Sequence, residues 1–470
     1  MHTDAKPVLL ILSKNIGGQD MSSIDPLISG PAPGTASPPR SMAVGHAFRD
    51  MPFGSIHFKI GAVLFFAFAI EAWEMLILTY VAGDLATSLQ VSATQVGIAI
   101  SALFLGMIPG SLLWGPISDR IGRKATCAWS FAGYGVITLL SSFAPNFETL
   151  AIARFLSGLV FSGVFTVTFP YFEELLPVKV RGKAAVYLAA GWPIGILAAL
   201  GTTALIGGHG WRWVIAVSAL ASLWGIVVYK VVPESPYWLA RRGRNEDAHH
   251  VLERLGAQGI SRSTVLTVSV DKRQTIWSLF RGRTGRITVI QVLINFTFSW
   301  GYWGLQSWMP TLLEGRGLSA SSSLSFIALS AILMIPGYMT ASYLTGRFGR
   351  KWIFTGYVLA AAGGGFFFAT ASTETEMHVG MFTLAFFAMG AWGVWDTWMG
   401  ELYPSAMRGS GFGLGIFGQR VANTIAPSLV GFLLASATGA TSTILFINAF
   451  LFVTVILGLF LPETEGSELE

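Results

Sequence analysis

The chain has 470 residues, of which 53% are hydrophobic and only 12% charged, with a mean hydropathy of +0.60. That balance excludes an ordinary soluble enzyme or binding domain, because so much apolar surface must face lipid. A net charge of +5 and a pI near 9.3 come from Lys and Arg gathered between apolar runs. That is the pattern of membrane orientation, so no nucleic-acid partner is expected. The single cysteine, Cys127, leaves no disulfide framework and no thiolate metal site.

In chain order, residues 1–54 read as a disordered cytoplasmic tail, with Ser-Gly-Pro-Ala-Pro-Gly at 29–34 and Ser-Pro-Pro-Arg at 37–40. Its one apolar patch, Val8 to Leu12, is too short for a spanning helix or a signal-peptide core. Spanning a bilayer takes about 20 predominantly apolar residues. Six such runs fall near 58–83, 93–118, 125–145, 148–172, 184–206 and 211–232. Six more fall near 287–313, 321–345, 352–371, 378–402, 409–434 and 440–461. The expected architecture is an all-α membrane protein of twelve transmembrane helices in two six-helix bundles, 55–232 and 285–465. A cytoplasmic linker with short amphipathic helices (233–284) joins them, and a tail (466–470) ends the chain.

Orientation follows the cations in the connections: Arg120, Arg123 and Lys124; Lys179, Arg181 and Lys183; Arg347, Arg350 and Lys351; and the basic run from Arg241 to Arg286. All lie on one side, so both termini are expected in the cytoplasm. The opposite loops offer little beyond Arg212 and Arg316.

Two segments repeat at one spacing. Arg120-Ile-Gly-Arg-Lys124 recurs as Arg347-Phe-Gly-Arg-Lys351, and Glu174-Leu-Leu-Pro-Val-Lys-Val-Arg-Gly182 as Glu401-Leu-Tyr-Pro-Ser-Ala-Met-Arg-Gly409; 347 − 120 and 401 − 174 both equal 227. Parallel repeats of this kind place a substrate site between the halves near the midplane, reached from either side by rocking.

Gly115-Pro-Ile-Ser-Asp-Arg-Ile-Gly-Arg-Lys124 resembles the loop signature of the major facilitator superfamily. Arg154-Phe-Leu-Ser-Gly158, Pro233-Glu-Ser-Pro-Tyr-Trp-Leu239 and Pro462-Glu-Thr-Glu-Gly466 are similar to the sugar-porter and organic-ion-transporter branch, which includes aromatic-acid and nicotinate:proton symporters. The resemblance spans roughly residues 57–466. It departs from the pattern at Gly346, where the first half has Asp119, and at Glu465, where lysine is usual. A charge latch of Gly115, Asp119, Arg120, Gly122, Arg123, Glu174, Arg181, Glu234, Arg347, Arg350, Glu401 and Arg408 is expected to lock one conformer through guanidinium–carboxylate bonds. The same cations also satisfy the orientation rule.

Ionisable residues within spans are costly and mark function by default. Glu71 and Glu74 share one face of helix 1. Helical rise puts Glu74 and Arg154 on the order of 13 and 9 Å from the outer membrane surface, hence nearly level. An alternating contact between them would switch proton affinity as the site opens and closes; a static packing pair is the alternative. The resemblance agrees with the first, since proton-driven sugar porters carry an acidic residue after an aromatic one in helix 1, here Trp73-Glu74, and an arginine in helix 4. Arg420 lies mid-membrane in helix 11 and needs an anion. Its segment resembles that of organic-anion transporters, where the arginine holds the substrate carboxylate; pairing with Asp396 or a helix-1 glutamate is the alternative. Gln419 and Asn423 could add hydrogen bonds. Trp300, Tyr302, Trp303, Trp392 and Trp395 would suit a flat aromatic cargo by stacking, although each could equally be packing or an interfacial anchor; Trp73, Asn295 and Asp396 complete the expected substrate site.

No G-x-S-x-G, H-E-x-x-H or phosphate-loop motif is present, so neither enzymatic nor ATP-driven activity is expected. The resulting expectation is a monomeric multi-pass protein of the plasma membrane, or the inner membrane if bacterial. It would import a small aromatic monocarboxylate by proton symport, with protons as coupling ion and no cofactor or metal. A sugar or polyol symporter and a drug or organic-cation exporter are the alternatives.

Overall fold

A segment that is apolar all round has no face to offer water, so it folds as a helix buried in a bundle or in lipid. The computed structural model describes residues 41–181, 187–268, 276–403, 405–436 and 439–464. Lys183, Lys272, Arg273, Glu465 and Gly466 lie outside these. The first half contains α1 (Ser55–Tyr80), α2 (Ala93–Ile121), α3 (Arg123–Ser141), α4 (Phe147–Glu174), α5 (Tyr187–His209) and α6 (Trp211–Val231). The second contains α7 (Gly282–Gln306), α8 (Ala320–Phe348), α9 (Arg350–Thr370), α10 (Glu374–Glu401), α11 (Ser405–Ala435) and α12 (Ala440–Gly458). Among the described residues, nine of these helices are long and apolar enough by themselves to cross a bilayer. The other three, α3, α7 and α11, are 19, 25 and 31 residues long. They are diluted by Arg123 and Lys124, by Gln291 and Asn295, and by Arg408 and Arg420.

The internal repeat extends to helix ends and packing. Ser92 caps α2 and Ser319 caps α8, while Asn146 caps α4 and Thr373 caps α10; 319 − 92 and 373 − 146 again give 227. A Cβ at Gly110 would collide with the Leu159 carbonyl, and one at Gly337 with that of Phe386, at the same offset. Small residues thus let α2 close on α4 and α8 on α10 at backbone distance, as in other membrane bundles. Across the halves, α2 packs on α11 and α5 on α8. Ser428 donates to Ser101 at 2.8 Å across this contact, while within the second half the Trp308 indole donates to the Pro427 carbonyl at 2.9 Å. Outward faces carry Leu112, Trp129, Leu205 and Tyr343, all largely exposed, where lipid is the solvent.

Two expectations need correction. Residues 41–54 are ordered: β1 (Ser41–Ala43) pairs in parallel with β2 (Val265–Thr267) of the linker, and a short helix, Val44–Ala47, follows. The reason is apolar anchoring, since Val44 and Phe48 are fully buried and Phe48 stacks on Tyr237 at 5.6 Å. The seventh span ends at Gln306, because the segment that follows turns away as a separate helix, Met309–Glu314, with Pro310 in its first turn. The linker holds the helices Pro236–Arg241 and Asn245–Leu255.

Candidate functional site

The loop between α2 and α3 turns at Gly122, whose φ of 99° favours glycine and where a Cβ would strike the Glu234 carboxylate. Glu234 accepts from the backbone nitrogens of Arg123 (2.9 Å) and Lys124 (3.3 Å), capping the start of α3. The Arg123 guanidinium then bridges Asp119 (2.9 Å) and Glu174 (3.2 Å), with Arg241 3.7 Å from Asp119. Burial raises the Glu234 carboxyl above its usual range, while the hydrogen bonds from Ser235, Lys124 and Arg123 act to lower it.

The second half repeats this arrangement. Gly349 has φ 87°, Glu463 accepts from the nitrogens of Arg350 (2.9 Å) and Lys351 (3.1 Å), and Arg350 pairs with Glu401 at 3.0 Å. Glu463 was absent from the residues selected by sequence. The signal was there, because Pro233-Glu234 and Pro462-Glu463 occupy matching places after α6 and α12. Gly346 contributes no carboxylate. Four selected residues lie apart from the carboxylate cluster: Arg181 donates to the Leu176 carbonyl and the Tyr237 hydroxyl, Arg347 sits over Phe348, Arg120 is exposed, and the Arg408 Nε is buried without an acceptor. A Cβ at Gly115 would meet only open space.

Within the membrane, α1 presents two carboxylates in different surroundings. Glu74 and Arg154 form a 2.5 Å ion pair, both almost completely buried. The Tyr134 hydroxyl donates to the other Glu74 oxygen at 2.8 Å, and Thr138 adds a 3.4 Å bond. Every Glu74 acceptor is therefore engaged. Glu71, also fully buried, receives one bond, from Thr168 at 3.1 Å, and its Oε2 has no hydrogen-bond partner.

Arg420 reaches this region from the opposite half. It is 2% exposed, and its guanidinium lies over the Phe165 ring of α4, 4.1 Å from the centroid. It interacts electrostatically with Glu71, but among the described residues no carboxylate lies within ion-pair distance, and its Nε has no acceptor. Gln419 Oε1 and both amide atoms of Asn423 are likewise buried without partners. Buried polar groups are rarely left this way, so three neighbours on one helix mark a place where hydrogen-bonding capacity is held in reserve.

An aromatic series continues from Phe165. One turn on, Phe169 meets Phe68 edge-to-face at 5.0 Å, and Phe68 meets Trp192 at 6.0 Å. Trp192 crosses to the second half, donating to the Tyr302 hydroxyl at 3.2 Å and meeting Trp303 at 5.7 Å. Tyr302 meets Trp392 edge-on at 6.4 Å. Both halves thus contribute rings to one wall. Phe165, Phe68 and Trp192 were not selected by sequence, since a phenylalanine in a span looks like packing until its neighbour is known.

Other selected residues are placed elsewhere. Trp73 lines an apolar cleft of about 430 Å³ between α1, α5 and α6. Trp300 stacks on Phe450 of α12 at 4.8 Å. Asn295 and Trp395 satisfy each other, the indole donating to the amide oxygen at 3.2 Å. Asp396 is exposed beside Tyr338 of α8 and does not pair with Arg420. No group of three or more potential metal-binding side chains occurs among the described residues.

The chain matches the profile of the Major Facilitator Superfamily over residues 63–415. It is 30% identical over 430 residues to the niacin transporter NiaP of Acinetobacter baylyi, covering 90% of this chain and 97% of that one. It is 27% identical over 418 residues to a putative niacin/nicotinamide transporter NiaP of Bacillus subtilis, covering 88% and 98%. Among solved structures, the partially occluded inward-open xylose transporter XylE from E. coli superposes with a TM-score of 0.72 at 18% identity, over 88% of this chain and all of that one.

Proposed function

Because the chain belongs to the Major Facilitator Superfamily, whose members transport and whose fold it has, we propose that it is a proton-coupled symporter importing a small aromatic monocarboxylate, nicotinate or a close analogue. The observation that carries this reading is Arg420, a permanently charged group buried between the halves with, among the described residues, no carboxylate in contact and no acceptor on Nε. A substrate carboxylate supplies the missing anion through paired charge-assisted bonds. The wall of Phe68, Trp192, Tyr302, Trp303 and Trp392 accepts a flat ring. Niacin as the cargo of the Acinetobacter relative supports the same chemistry. A sugar fits less well, since Asn295 is already bonded within its own half.

Proton coupling rests on a buried carboxyl within the group of Glu71, Glu74 and Arg154, and each half carries its own Arg–carboxylate cluster at the basic face. The basic face is cytoplasmic, with both termini on that side of the plasma membrane. The working unit is a monomer, and protons are the only coupling species. The test is uptake by purified protein in proteoliposomes, with labelled nicotinate and benzoate beside glucose and an organic cation. Accumulation of the aromatic acids under an inward proton gradient is expected. Accumulation of the sugar or the cation alone overturns the Arg420 assignment.

A further inference from the structure

The two buried carboxylates of α1 are one turn apart but differ in what they can do. Glu74 has its oxygens filled by Arg154, Tyr134 and Thr138 from α3 and α4, all within the first half. Rocking the halves leaves these contacts intact. Glu71 has one free oxygen and feels the positive charge of Arg420, which belongs to the other half. The other groups acting on it are the Thr168 hydroxyl from α4 and the Cys127 thiol from α3. Among the described residues, no charged side chain of α2, α5 or α6 acts on it.

We propose that Glu71, rather than Glu74, is the coupling carboxyl, and that it exchanges its claim on Arg420 with the carboxylate of the substrate. The inference rests on the reading of Arg420 as the substrate anchor. With Arg420 and ionised Glu71 alone, the buried site is neutral. When a substrate carboxylate docks on the guanidinium, the site carries one positive and two negative charges. An uncompensated charge is costly in such surroundings. One proton taken from water onto Glu71 Oε2 restores neutrality. It converts the carboxylate to the acid, whose O–H has its own hydrogen bond to make. Release reverses the steps: the substrate leaves, Glu71 loses its proton on the same side, and the Arg420–Glu71 attraction is re-established. Loading is therefore one proton per monocarboxylate, with no net charge moved. Glu74 and Arg154 serve as a fixed strut that holds α1 against α4.

The experiment measures labelled nicotinate accumulation and counterflow in proteoliposomes of wild type, E71Q and E74Q. An inward gradient of about one pH unit is imposed, worth about tenfold accumulation per proton. The wild type is expected to approach tenfold accumulation and to be indifferent to an imposed membrane potential. E71Q, which mimics the protonated form, is expected to keep counterflow but only to equilibrate, with no response to the pH gradient. A second readout, nicotinate affinity from tryptophan fluorescence, is expected to fall with rising pH in wild type and to be flat in E71Q. Accumulation by E71Q equal to wild type, or loss of pH-driven accumulation in an E74Q protein that retains counterflow, overturns the inference and leaves the substrate assignment standing. Wild-type vesicles that move no aromatic acid under any gradient overturn the substrate reading, and this inference with it.

Discussion

Arg420 of α11 lies with its guanidinium 4.1 Å from the ring centroid of Phe165 on α4, so a cation from one half is covered by an aromatic face from the other. Covering one face leaves the in-plane N–H edges for a carboxylate. A desolvated cation–π contact is worth about 2 kcal/mol, and a more exposed one about 0.5–1 kcal/mol. Phe165→Ala is therefore expected to raise the KM for nicotinate roughly 3- to 30-fold. Phe165→Tyr should stay near wild type. Uptake kinetics of the two variants check this, and an unchanged KM in Phe165→Ala would remove the ring from the site.

Arg420→Lys keeps the charge but loses the planar fork. If the carboxylate is held bidentately, this variant should bind nicotinate at least about tenfold more weakly, because a lysine offers a point charge in place of two parallel donors. Equilibrium binding to purified protein measures it; equal affinity would rule out bidentate recognition.

Breaking the Glu74–Arg154 pair should show in stability. Removing one partner of a buried ion pair costs about 3–5 kcal/mol, whereas replacing both by apolar residues of similar size is often neutral. Glu74→Ala is expected to lower the unfolding temperature in detergent markedly, and Glu74→Met with Arg154→Leu to restore much of it. A Glu74→Ala protein as stable as wild type would show that the 2.5 Å contact does not hold α1 against α4.

The Glu234 carboxyl, at the basic face, should respond to pH. Its value in the folded protein lies above its ordinary 4.5 because burial opposes its charge. On acidification it therefore takes up a proton at a higher pH than in the unfolded chain. The folded state gains relative stability from this group as pH falls through the raised value, and loses that gain as pH rises through it. Locally, the neutral acid is a weaker acceptor for the Arg123 and Lys124 nitrogens, so the turn at Gly122 should loosen. Protection of the Arg123–Thr126 amides against hydrogen exchange, taken relative to the intrinsic rate at each pH, is expected to fall at mildly acidic pH in wild type and to stay level in Glu234→Gln. Identical profiles in the two proteins would contradict it.

Glycine at 122 is required twice, by its φ of 99° and by the Glu234 carboxylate against it. Gly122→Ala should disrupt the turn, whereas Gly115→Ala, facing open space, should be tolerated in expression and uptake. A Gly122→Ala protein with normal thermal stability would argue against the close approach.

The twelve-helix architecture was legible because lipid demands long apolar runs, and the two-fold organisation because a loop motif repeats at 227 residues. Contacts within one half were readable too: Glu74 and Arg154 could be levelled by helical rise alone. Contacts between halves were not. Nothing in the spacing of Phe165 or Trp192 announces that one covers Arg420 and the other bonds to Tyr302. Helix rotation also escaped the reading, since Trp73 and Trp300 turn to an α5–α6 cleft and to α12. In a span that is apolar all round, amphipathic pattern no longer tells which face is central. The order of residues 41–54 was missed because anchoring by Val44 and Phe48 depends on linker residues about 190–225 positions away.

The central claim, that Arg420 holds the carboxylate of an aromatic acid, is tested most directly by competition between nicotinate and its neutral amide. Labelled nicotinate uptake into wild-type proteoliposomes should be suppressed by excess unlabelled nicotinate or benzoate and barely affected by nicotinamide. Nicotinamide competing as strongly as nicotinate would show that the carboxylate is not what Arg420 recognises, and would contradict the account.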